Sequence, residues 1–118
     1  MVPTKGQKED EITKAIVQWE KDYIGRGPEG AKTDLLRNMV IVTLHKVLSQ
    51  AELVLAREKE GMALVKKLRQ QLVEQGRAEL EALVSGITGA KVVSLHTDIS
   101  TKTGERIFVF VMDREIGK

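Results

Sequence analysis

Two short stretches, Met39-Val-Ile-Val-Thr-Leu44 and Ile107-Phe-Val-Phe-Val-Met112, are apolar or β-branched at every position. Successive side chains of a strand point to opposite faces, so a strand of this kind is stable only where both faces are covered. Met39, Ile41, Phe108, Phe110 and Met112, or the alternate set in each strand, cannot all face one layer of helices. At 118 residues the chain fits one domain and one core. Its helices can cover one side of a sheet well, and the apolar surface left over marks an interface. Shifting the strand register by one residue exchanges the two faces, so the sequence does not say which face pairs.

The remaining pattern supplies the helices. Residues 1–7 read as a flexible tail, and residues 8–118 as a single domain. From Lys8, apolar residues at Ile12, Ile16, Trp19 and Tyr23 mark one face of an amphipathic helix. Gly25 ends it in a left-handed cap, and Gly25-Arg26-Gly27-Pro28 prevents its continuation. Glu29 to Thr33 reads as loop, and Asp34 to Arg37 as a paired strand or a lead-in to the next one. Ser49-Gln50-Ala51-Glu52 is a capping box that starts a second helix, which Gly61 breaks or bends. A third pattern, Met62, Val65, Leu68, Leu72, Gly76, Leu80, Leu83 and Ile87, predicts a helix of ~39 Å, longer than a compact domain of this size is wide. Gly76 on its apolar stripe implies close approach of another element. Lys91 to Ile99 and Arg106 to Met112 form a hairpin across the turn-rich Ser100-Thr-Lys-Thr-Gly104, with Val93, Leu95 and Ile99 on one face and Ser94, His96 and Asp98 on the other. The expectation is an α+β domain in the order α-β-α-α-β-β, a small antiparallel sheet with a C-terminal hairpin against helices that include one long one.

Composition removes several function classes. There is no Cys, which excludes disulfides, thiolate nucleophiles and zinc fingers together. The longest uninterrupted apolar run is Ile107 to Met112, far short of the ~20 residues of a membrane helix. The first residues carry no apolar signal core, so the expected location is the cytoplasm, with no direct membrane insertion. The 19 basic and 17 acidic residues alternate along the chain, and the basic turn Lys66, Lys67 and Arg69 is followed by Glu74, Glu79 and Glu81. A nucleic-acid surface concentrates positive charge beside aromatics, which this chain does not do.

Two constellations invite chemistry. His96 and Asp98 share a strand face, the spacing of an acid–base or metal pair with His45 as a further ligand. A catalytic metal needs three protein ligands, and no third clusters with them, so the polar strand face is the plainer reading and neither metal nor cofactor is expected. Gly25-Arg26-Gly27-Pro28-Glu29-Gly30 resembles a phosphate loop without its spacing, and it follows a helix where such a loop follows a strand. Its amides still suit a small anion, with Arg26, Gly27, Lys32 and conceivably Arg37 as ligands.

Taken together, the Gly25–Pro28 loop, the Met39–Leu44 strand, Leu48-Ser49-Gln50-Ala51-Glu52 and Ser94-Leu-His-Thr-Asp-Ile-Ser-Thr-Lys-Thr-Gly-Glu-Arg-Ile-Phe-Val-Phe110 resemble the bacterial MpsC-like domain family over roughly residues 8–115. The resemblance implies a small protein without membrane spans, associated with a cation-translocating, inorganic-carbon-uptake membrane machinery whose spanning parts are other subunits. It carries over no catalytic residue. The expected function is an accessory or regulatory interaction module, homodimeric through Phe108, Phe110, Met112 and Gly76 and docking on a membrane complex or another protein. The alternative is a sensor of a small anion or ligand at the Gly25–Gly30 loop, and the third reading is an enzyme using His96 and Asp98.

Overall fold

The computed structural model describes residues 2–118. It contains three helices and four strands: α1 (Lys5–Trp19), β1 (Gly30–Leu36), β2 (Met39–His45), α2 (Gln50–Leu55), α3 (Lys59–Thr88), β3 (Val92–Ile99) and β4 (Arg106–Met112). The strands form one antiparallel sheet in the order β1-β2-β4-β3. The α+β class, the C-terminal hairpin and the long helix follow the expectation from sequence.

Local chemistry explains where the elements begin and end. α1 starts at Lys5, three residues earlier than the apolar spacing predicts, so residues 5–7 belong to the domain and not to a tail. Thr4 and Gln7 form a capping box there, each side chain bonding the other's backbone N–H. The helix widens into a π-helical turn at Glu20–Ile24 and stops at Gly25, whose φ of 103° is the left-handed cap the sequence predicts. Ser49 and Glu52 form the expected capping box at the start of α2.

Gly61 does not break the long helix. The break lies at residues 56–58, and Gly61 sits in the first turn of α3, where a Cβ would overlap the Leu55 carbonyl. β1 begins at Gly30, so Gly30 to Thr33 is strand and not loop. Glu9 of α1 accepts the Leu35 N–H at 2.8 Å, and Thr13 donates to Thr33 at 2.7 Å. This strand edge is thus held by a helix side chain, a signal that strand propensity does not contain.

α1 and α3 lie on one side of the sheet. The core joins Ile12, Ile16 and Trp19 of α1 to Val65, Val73, Leu80 and Val84 of α3 over Val40, Val42, Phe108 and Phe110. Val93 does not join Leu95 and Ile99 on the inner face, because a β-bulge between Val92 and Ser94 turns it outward and leaves it 66% exposed. The buried stripe of α3 is Gly61, Val65, Arg69, Val73, Gly76, Leu80 and Val84. Met62 and Leu68, which the apolar spacing puts on that stripe, are exposed. At 30 residues α3 outruns the sheet, and the molecule measures 50 × 24 × 22 Å.

Gly76 is where α1 and α3 touch. Trp19 and Tyr23 stack at 4.9 Å, and a Cβ on Gly76 would lie 2.6 Å from the Trp19 ring. The tight seat buries Trp19 Nε1 without an acceptor, at a cost of about 1–3 kcal/mol. Gly86, ten residues along the same helix, has open space where its Cβ would be. Gly76→Ala therefore destabilises by about 1–3 kcal/mol through overpacking. Gly86→Ala stabilises by about 0.5–1 kcal/mol through helix propensity. Chemical denaturation of the two variants beside the wild type reads both signs.

Candidate functional site

Burial of charge, not of apolar surface, singles out one region. Glu20, Arg69 and Arg106 come from the π-helical turn, α3 and β4, and each is at most 3% exposed. Arg69 makes three hydrogen bonds. It donates Nε–H to Glu52 Oε2 at 2.7 Å, and Nη2–H to Glu52 Oε1 at 2.6 Å and to the Val47 carbonyl at 2.9 Å. Burial pushes the Glu52 carboxyl up, but the Arg69 fork and the Ser49 N–H outweigh it and hold the group at about 2. Burial also pushes Glu20 up, against the pull of Arg69 and Arg106.

Arg106 differs from Arg69. It donates Nη1–H to Thr97 Oγ1 at 2.7 Å, and its guanidinium lies 5.4 Å from the Phe108 ring centre. It opens into a cleft of about 320 Å³ between α3 and β3, lined also by Lys66, Gln70, Glu74, His96 and Asp98. Lys66 bridges to Asp98 at 3.4 Å across the cleft. The Ile99 N–H, donated at 2.8 Å, and Lys66 hold the Asp98 carboxyl below its usual range. A buried guanidinium with donors facing a cleft is a seat for a carboxylate or a phosphate.

His96 and Asp98 both reach this cleft, but His96 Nε2 pairs with Ser94 Oγ at 3.1 Å and no hydrogen bond joins it to Asp98. His45 pairs with Glu105 instead. Among the described residues no group of three His, Asp or Glu side chains is placed to hold a metal ion. The Gly25–Gly30 loop does not gather its expected ligands. Arg26 lines a separate hollow beside the Lys46–Glu29 ion pair, and the Lys21 chain lies over Gly27. Lys32 projects from the outer face of β1 toward Asp34, because alternation along the strand turns it away from the loop. Arg37 turns the β1–β2 hairpin at a φ of 56°.

Phe108, Phe110 and Met112 are at most 2% exposed under the helices, and Gly76 is sealed by Trp19 and Tyr23, so none of the four is available to a partner. The apolar residues left over are the alternate set. Met39, Ile41, Val109 and Val111 are half-buried and Ile107 is exposed on the uncovered outer face. A second uncovered surface lies at the α2–α3 corner. Six of the ten large apolar side chains exposed among the described residues fall there: Leu53, Val54, Leu55, Met62, Leu64 and Leu68. Sequence reasoning missed Glu20 and Arg106 because a charged residue in an amphipathic pattern reads as solvated.

A family model described as "Na+-translocating membrane potential-generating system (MpsC)" matches residues 4–114. The chain is 49% identical over 118 residues to the uncharacterized protein YbcI of Bacillus subtilis (strain 168), covering 100% of this chain and 95% of that protein. It is 34% identical over 115 residues to the uncharacterized protein YrhF of the same organism, covering 93% and 91%. No solved structure gives a significant match.

The Glu52 value fixes a pH dependence. A carboxyl held below its unfolded value of 4.5 stabilises the fold fully above that pH and loses the contribution as pH falls toward 2. The denaturation midpoint of the wild type should fall through this window by the equivalent of about 2 kcal/mol. Glu52→Gln, measured by the same titration, starts less stable at neutral pH and lacks that acid limb.

Proposed function

The chain belongs to the MpsC family, and from that premise we propose that it is an accessory subunit, acting as a homodimer on the cytoplasmic side of an ion-translocating membrane system. None of its described helices is long and apolar enough to cross a membrane, so translocation falls to other subunits in this reading. The observation that carries it is the α2–α3 corner. Most of the exposed apolar side chains concentrate there, along α2 and the first three turns of α3. A protruding helix pair with an apolar surface suits docking into a groove of a partner protein, read at i, i+4 positions such as Leu64 and Leu68.

Both residues are exposed, so Leu64→Asp with Leu68→Asp leaves the fold intact. Tagged wild-type protein should retain the spanning subunits of the system from detergent-solubilised host membranes, and the double variant should lose them. Equal capture by both proteins ends this reading.

A second reading, binding of a small anion, moves from the Gly25–Gly30 loop to the α3–β3 cleft on the strength of Arg106. Acetate and inorganic phosphate then raise the melting temperature saturably, and Lys66→Ala weakens that response several-fold. Thermal shift measured at constant ionic strength decides it.

A further inference from the structure

Three rows of side chains cross the outer face of the sheet. The strand register sets Lys32, Thr43, Ile107 and Asp98 in one row. The next row is Asp34, Ile41, Val109 and His96. The third is Leu36, Met39, Val111 and Ser94. In each row the middle pair belongs to β2 and β4, which leaves an apolar centre broken only by Thr43. The ends of the first two rows carry charge or a titratable ring. Lys32 and Asp34 stand on one edge strand, 3.8 Å apart, and Asp98 and His96 on the other, where Asp98 also bridges to Lys66 of α3 at 3.4 Å, so a partner's charges add to these pairs.

We infer that a second copy of this chain covers the outer face, related by a two-fold axis parallel to the strands. Rotation about that axis preserves each row and reverses its order. β1 of one copy then lies over β3 of its partner, and β2 over β4. Lys32 meets the partner's Asp98, Asp34 meets the partner's His96, and Ile41 meets the partner's Val109. The other in-plane axis, perpendicular to the strands, keeps each strand over its own copy, and when it runs through the middle row it sets Asp34 against Asp34 and His96 against His96. Of the two arrangements centred on the middle row, the charge pattern therefore selects the first, and the same face supplies both halves of each pair, as a self-complementary interface requires. Four strands of seven or eight residues make a face of about 19 by 23 Å. Two such faces cover about 900 Å² in total, below the range of stable complexes, so the association is expected to be weak.

The inference rests on the homodimer part of the proposed function, whose face it names, and leaves the docking corner between α2 and α3 aside. It is tested without the membrane system, so the two fail separately. Sedimentation equilibrium of the full chain at tens to hundreds of micromolar should show a monomer–dimer equilibrium. Val109→Asp, at the centre of the face, should lower the association constant by roughly 100-fold, because the two-fold buries the new charge twice. His96→Glu, on an exposed position that leaves the fold intact, should weaken it roughly fivefold by facing the partner's Asp34. Adding Asp34→Lys to His96→Glu should restore it. Within one copy these two residues stand on opposite edge strands ~14 Å apart, so the rescue reports contact between copies. A wild type that stays monomeric overturns the inference and leaves the face to a different protein. A Val109→Asp variant that still dimerises overturns the choice of face, and a double variant no better than His96→Glu overturns the axis.

Discussion

Arg69 ties together parts of the chain that nothing else joins. Its guanidinium is buried under α3, and a buried charge without partners would cost several kcal/mol. The partners it finds are the Val47 carbonyl, just after β2, and the carboxylate of Glu52, in the first turn of α2. Glu52 also closes the capping box with Ser49. One side chain thus fixes where the chain leaves the sheet, where α2 begins and how α3 lies over both. Apolar packing alone could not do this, since α2 has no fully buried residue of its own.

The placement of α3 settles the two faces of the sheet. With α1 and α3 both on one side, β2 and β4 present Val40, Val42, Phe108 and Phe110 to the helices, and their alternate side chains face outward. The helix also carries more length than the sheet can use, which is why apolar surface appears twice: on the bare sheet face and at the α2–α3 corner. The two surfaces differ in kind. The first is flat and bordered by charges, the second convex and helical, so they suit different partners.

Much of this fold was legible in the sequence. The capping box at Ser49, the left-handed cap at Gly25, the hairpin and the long helix all announce themselves through local chemistry that tertiary packing did not override. What was hidden has identifiable causes. β1 reads Gly-Ala-Lys-Thr-Asp because its edge is held by Glu9 and Thr13 from α1, contacts more than 19 residues away in sequence. The true stripe of α3 contains an Arg and two Gly, so an apolar template prefers Met62 and Leu68, one position to either side of buried Gly61 and Arg69. The inward face of β4 was undecidable, since both of its faces are apolar and only the position of α3 breaks the tie. The cleft at Arg106 has no sequence signature at all, being assembled from β4, β3 and α3.

The strand order has a consequence for how the chain is made. β2, apolar on both faces, sits in the interior of the sheet, yet its second neighbour is β4, the last strand to leave the ribosome. While α2, α3 and β3 are being synthesised, the backbone N–H and C=O groups along one edge of β2 have no native partner, beside a run of Val, Ile and Leu that favours pairing with any free strand. At translation rates of about 5–20 residues per second that exposure lasts several seconds. Opening the chain between β2 and α2 and joining its ends would place β4 ahead of β2 in sequence, so that β2 meets its second neighbour as soon as it is made, with every strand pairing of the sheet kept.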